Sequence, residues 1–166
     1  MTITTVNSGT ILADTVNLIR DKLASNITDP ITSSRPSGAK FVMTSYPRRP
    51  GTIYPLITVT DRGISDTKQG MASEGTIIRM GVEIRIWGRS VKERDELFDK
   101  VYDYLRKNQL DATTGLSDSN LHDFTLTSAV NISEEGEAGL QSKVLEIRFL
   151  ILVNGWKEVN KIWKNI

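Results

Sequence analysis

Between Ile77 and Asn108 two hydrophobic periods meet across a defined junction. Ile78, Met80, Val82, Ile84 and Ile86 alternate with Arg79, Gly81, Glu83, Arg85 and Trp87. A period of two predicts a strand with one face on a core and a charged face toward water. After Gly88 the period lengthens, and Leu97, Phe98, Val101, Tyr104 and Leu105 recur at three- and four-residue intervals. That spacing predicts a helix whose apolar stripe lies on the greasy face of a sheet. The junction itself has the chemistry of a helix start: Ser90 and Glu93 have capping-box spacing, in which the serine oxygen accepts from the third helical amide and the glutamate reaches back.

The same reading extends along the chain. Ser8 or Thr10 can cap a first helix that places Ile11, Leu12, Val16, Ile19 and Leu23 on one stripe, and Asp29-Pro30 stops it. Residues Ile31 to Lys40, with Pro36 and Gly38 among serines and basic side chains, predict an exposed connection that orders when something binds it. Phe41 to Tyr46 is a short strand, and Pro47-Arg48-Arg49-Pro50-Gly51 is a rigid basic turn. Leu56 to Thr60 resumes extended structure, which Asp61-Arg62-Gly63 is expected to end. A polar loop from Ile64 to Gly75, containing Lys68 and Met71, then leads to the long strand. Loops of that length without a pattern of their own are usually functional or disordered. Asp111 to Asn120 is a further surface loop.

A closing hairpin is expected next. Phe124, Leu126, Ser128, Val130 and Ile132 are predicted to share one face of its first strand. In the second strand Leu145, Ile147, Phe149, Ile151 and Val153 share a face, while Val144, Leu150 and Leu152 put apolar groups on the other, the pattern of a central strand. The tip between them, Glu134-Glu135-Gly136-Glu137-Ala138-Gly139, is acidic. The tail carries Trp156, Val159, Ile162, Trp163 and Ile166, too short a helix to stand alone, so it is expected to fold back on the sheet or dock on another subunit. The fold class is therefore α+β: a mainly antiparallel or mixed sheet of about five strands, two principal helices, long polar loops and an apolar C-terminal extension. Residues 1–155 are expected to form a single domain, with 156–166 as the docking tail.

Composition narrows the function. The chain has 166 residues, 39% of them apolar and 25% charged, as in an ordinary globular protein. Its 21 basic and 20 acidic side chains nearly cancel, so no global field recruits nucleic acid. The absence of cysteine removes disulfides, thiolate metal sites and cysteine nucleophiles. The N-terminus lacks a basic and long apolar leader, and no apolar run approaches a membrane span, so a protein that is made in the cytoplasm and has no membrane partner is expected.

Catalytic chemistry finds little support. His122 and Asp123 are adjacent in a strand and so point to opposite faces, which prevents a simple general-base pair. Glu134, Glu135 and Glu137 lack the oxygen pattern of a calcium loop, one histidine gives no metal spacing, and Gly136 and Gly139 have neither the lysine nor the helix of a phosphate cradle. No enzyme activity, cofactor or metal is expected. Arg48 and Arg49 are a sharper feature, because a rigid turn presents two guanidinium groups to carboxylates or phosphates at low ordering cost. With Tyr46 and Tyr54 they fall short of a single-stranded nucleic-acid platform, which carries a wider basic groove and more aromatics.

The order of elements resembles the tail terminator, or tail completion, proteins of tailed double-stranded DNA viruses. The resemblance covers roughly Ile11 to Gly155. It rests on Tyr54-Pro55-Leu56-Ile57-Thr58-Val59 after a basic proline turn, then a long loop, then Gly81-Val82-Glu83-Ile84-Arg85-Ile86-Trp87 running into the Ser90 helix. The resemblance implies a virion subunit of the tail and neck that forms a ring, usually a hexamer. Such a ring caps the tail tube and joins it to a neck or head-completion protein. Double-stranded DNA would pass through the ring without specific binding, with which near-neutral charge and the acidic tip are compatible. The polar loops at 31–40 and 64–75 would meet neighbours. Arg48, Arg49, Arg62, Lys68, Met71, Glu134, Glu135, Trp156 and Trp163 are the expected protein contacts. Another neck, connector or baseplate subunit, or a monomeric protein-binding adaptor, is the alternative.

Overall fold

A computed structural model describes residues 10–45, 52–68, 76–108, 121–133 and 140–153. Its elements are α1 (Ile11–Asn26), β1 (Val42–Met43), β2 (Leu56–Lys68), β3 (Thr76–Gly88), α2 (Val91–Asn108), β4 (His122–Ser133) and β5 (Gln141–Val153). The strands form one five-stranded sheet in the order β1-β2-β3-β5-β4. β1 is parallel to β2 and every other pair is antiparallel, so the sheet is mixed. The predicted α+β class is the observed one.

Both helices lie on one face of this sheet. Leu18, Ile19 and Leu23 of α1 join Leu97, Val101 and Leu105 of α2 in a single buried cluster. The strands supply Ile57, Val59, Met80, Val82, Ile84, Ile86, Leu145, Ile147 and Phe149 to it. The register lines these residues up across the strands, with Ile84 opposite both Val59 and Leu145, and Met80 opposite Phe149. The alternation in β3 thus does what its period requires, and its five apolar residues are all buried.

At the junction, the Glu93 amide donates to Ser90 Oγ at 3.2 Å, as a capping box demands. The glutamate reaches one residue further back than the standard pattern and accepts from the Arg89 amide at 2.8 Å. Gly88 is required here, since a Cβ would sit 2.8 Å from the Arg94 amide nitrogen. At the far end of the helix layer, Asn26 of α1 donates to the Tyr104 hydroxyl of α2 at 3.1 Å.

Four expectations change. Leu12 is 42% exposed, and Leu18 takes its place in the apolar stripe of α1. Thr10 is the N-cap by position, but its hydroxyl donates to the Asp14 carboxylate and its oxygen accepts no backbone amide of the first turn. Asp61-Arg62-Gly63 does not end β2: it forms a register-shifting bulge, with Gly63 at a φ of 111° that favours glycine, and the strand continues to Lys68. Residues 64–68 are therefore strand and not loop. Finally, a register irregularity between Leu126 and Ser128 flips the side-chain alternation of β4. Leu126 pairs with Ile147 on the helix side, whereas Ser128, Val130 and Ile132 pair with Glu146, Val144 and Ser142 on the other, so the predicted common face is split in two.

The connection at 31–40 is exposed over most of its length, yet it is tied down. Arg35 pairs with Asp29 at 2.5 Å and donates to the carbonyls of Ile53 and Pro55 at 3.1 and 2.6 Å. Its guanidinium also lies over the Phe41 ring. The Asp29 carboxyl is pushed up by burial, but hydrogen bonds from Arg35 and the Ile31 amide outweigh this and hold it below its ordinary value.

Candidate assembly surface

With both helices on one side, the opposite face of the sheet is left without a helical layer among the described residues. Its side chains follow from the register: Leu56, Thr58 and Thr60 of β2, Trp87, Arg85, Glu83 and Arg79 of β3, and Ser142, Val144, Glu146 and Arg148 of β5. At one end these residues cover one another. Leu56, Trp87 and Leu140 are buried with Tyr54 against them, and the Arg85 guanidinium lies 4.2 Å from the Trp87 ring. Trp87 Nε1 donates to Thr58 Oγ1 at 3.3 Å, and Arg85 Nε donates to Ser142 Oγ at the same distance. A face that alternation alone assigns to water is thus a second, smaller core, closed by a cation stacked on an indole.

The middle of this face is electrostatic. The bulge turns Arg62 onto it, where its guanidinium pairs with Glu83 of β3 at 2.6 Å and Glu146 of β5 at 3.1 Å. Gly81 makes this crossing feasible, because a Cβ there would come within 3.2 Å of the Arg62 Cβ. Arg62 therefore clips three strands together while remaining 53% exposed on its outer side. Glu146 also accepts from Ser128 of β4 at 3.0 Å, which extends the network to the sheet edge. Beside it is a hollow of about 440 Å³ lined in part by Gly63, Ser65, Arg79, Gly81 and Arg148.

Of the predicted contact residues, only Arg62 has a described side chain. Lys68 ends β2 opposite Thr76, and nothing further is described of its side chain. Arg48, Arg49, Met71, Glu134, Glu135, Trp156 and Trp163 lie outside the described residues, as do the basic turn, the acidic tip and the tail. Tyr54 is half-buried, with its ring 6.4 Å from that of Trp87. His122 is half-buried at the start of β4, and Asp123 takes a φ of 50°, a left-handed conformation that aspartate tolerates better than most residues. Among the described residues no group of three or more His, Cys, Asp or Glu could hold a metal, and no helix is long and apolar enough to cross a membrane.

Sequence reasoning missed the partners of Arg62 and the cover over Trp87. The second was within reach, because Arg85 and Trp87 are two residues apart in a strand and so share a face. The first depends on the bulge, which the sequence offers only as a turn signal.

No protein-family model matches the chain, and no curated protein matches it. Among solved structures, the fold is similar to a chain of a structure described as "Virion of native gene transfer agent (GTA) particle". The two share 14% identity over 68% of this chain and 79% of that one, with a TM-score of 0.51. At that identity the likeness is one of fold.

Proposed function

We propose that this chain is a structural virion protein that assembles into a ring, caps the tail tube and joins the tail to the head. The observation that carries the reading is the fold likeness to a chain of a gene transfer agent virion, which extends over most of both chains. The role is mechanical and not catalytic. Its partners are further copies of itself, a tail tube protein and a neck or head-completion protein, with double-stranded DNA passing through the ring. A rigid subunit suits this work: a sheet buried on its helix side, and clipped across three strands on the other by Arg62, holds its edges in fixed relation to one another.

The test is assembly of a tail tube protein from the same source, imaged by negative stain with and without this chain. Tubes bearing a ring at one end, and fixed in length once it is added, are expected. Tubes that grow unaltered with bare ends would contradict the reading and favour another neck or baseplate role.

A further inference from the structure

The two edges of the sheet are unequal. Thr125, Leu126, Thr127, Ala129, Val130 and Asn131 of β4 are all exposed, with Val130 at 52%, and no described strand lies beyond them. From Phe124 to Ser133 the sequence is Phe-Thr-Leu-Thr-Ser-Ala-Val-Asn-Ile-Ser, with no charge, proline or glycine. Native edge strands are usually guarded by charges, prolines or bulges, and an uncharged, β-prone edge invites pairing with another chain. The bulges of β4 fall between His122 and Ser128, which leaves Ser128 to Ser133 regular.

Among the described residues the opposite edge is also open over most of its length. β1 pairs only with Ile57 and Thr58 of β2, so among the described residues β2 has no outer neighbour from Val59 onward. Direction along the sheet alternates from β2 through β3 and β5 to β4, so β4 runs opposite to β2. A β4 edge laid against the open part of β2 in a second copy would therefore continue the antiparallel alternation without a break. Because the two edges differ, the contact is head-to-tail, the kind that closes into a ring when its rotation permits.

We infer that the subunit interface is a sheet-edge junction in which β4 of one copy, centred on Ser128 to Ser133, pairs antiparallel with the open part of β2 of the next. The inference rests on the proposed ring and names the surface that would build it. The chain has no cysteine, which gives a clean test. Within one copy β4 and β2 are three strand spacings apart, roughly 14 Å, whereas a disulfide needs Cα atoms within about 7 Å. Two double variants, Val130→Cys with Thr60→Cys and Val130→Cys with Ser65→Cys, are oxidised under native conditions and run on a denaturing gel. All three positions pair onto the helix-free face. A ladder of covalent multimers from at least one double variant, absent from the single variants, is expected. Rings of native mass with no ladder from either would overturn the junction while leaving the ring standing. Disulfide dimers from Val130→Cys alone would overturn it in favour of a twofold β4 to β4 contact, and a strict monomer would overturn junction and ring together. Val130→Lys is expected to abolish assembly while the circular-dichroism spectrum of the folded subunit is retained, and rings persisting in that variant would also overturn the junction.

Discussion

Individual residues carry more of this fold than their types advertise. Gly88 brings the end of β3 against the first turn of α2, and Gly88→Ala would force backbone apart at 2.8 Å. The expected cost is about 1–3 kcal/mol, read as a lower midpoint in urea unfolding. Arg35 is buried against Asp29 and two carbonyls, so Asp29→Ala strands a buried cation and should cost on the order of 3 kcal/mol in the same assay. The acid response follows in sign. Asp29 is held below its ordinary value despite burial, and Glu93 is held down by its hydrogen bond from Arg89 despite partial burial. Both are lower in the folded state than in the unfolded chain. Their contribution is present above the unfolded carboxylate range near pH 4 and is lost as pH falls through the lower folded values. Stability measured from pH 6 down to pH 2 should therefore fall below about pH 4, and less steeply in Arg35→Gln than in the parent chain. None of this was legible in Ile31 to Lys40, because a composition of serines, basic residues, proline and glycine reports exposure and says nothing of which cation is anchored.

Elements were legible where period and punctuation agree. The five alternating apolar residues of β3 and the three buried leucine and valine positions of α2 settle their faces because each has one dominant partner layer. Ser90→Ala removes the acceptor of the Glu93 amide and should cost about 1 kcal/mol of stability in thermal or urea unfolding. Reading failed where punctuation was ambiguous. Asp-Arg-Gly signals a turn or a bulge equally well, and only the pairing of Gly63 with Gly81 decides for a bulge that carries β2 on to Lys68. In β4 the flip between Leu126 and Ser128 has no sequence marker, since Thr127 fits either face. The apolar stripe of α1 slipped for a related reason: Leu12 and Leu18 suit a helix stripe equally, and the sheet beneath the helix chose Leu18.

For the whole molecule, α+β architecture followed from element order, whereas the placement of both helices on one face, and with it the open sheet face and edges, did not. The expected loop at 64–75 is a strand up to Lys68, which moves attention from a wrapping loop to a sheet edge. Arg62, expected as a contact, has two carboxylate partners within its own subunit and braces three strands while its side chain stays 53% exposed. Truncation after Gly155 should reduce assembly if the tryptophan tail docks on a neighbour, as the mass of the truncated chain would reveal. Whether the chain forms the proposed ring is read from the native mass of the purified protein across a range of concentrations at moderate salt. A closed oligomer of uniform copy number, a hexamer on the proposed reading, is the predicted result. A monomer at every concentration, both alone and with the tail tube protein, would overturn the proposed ring.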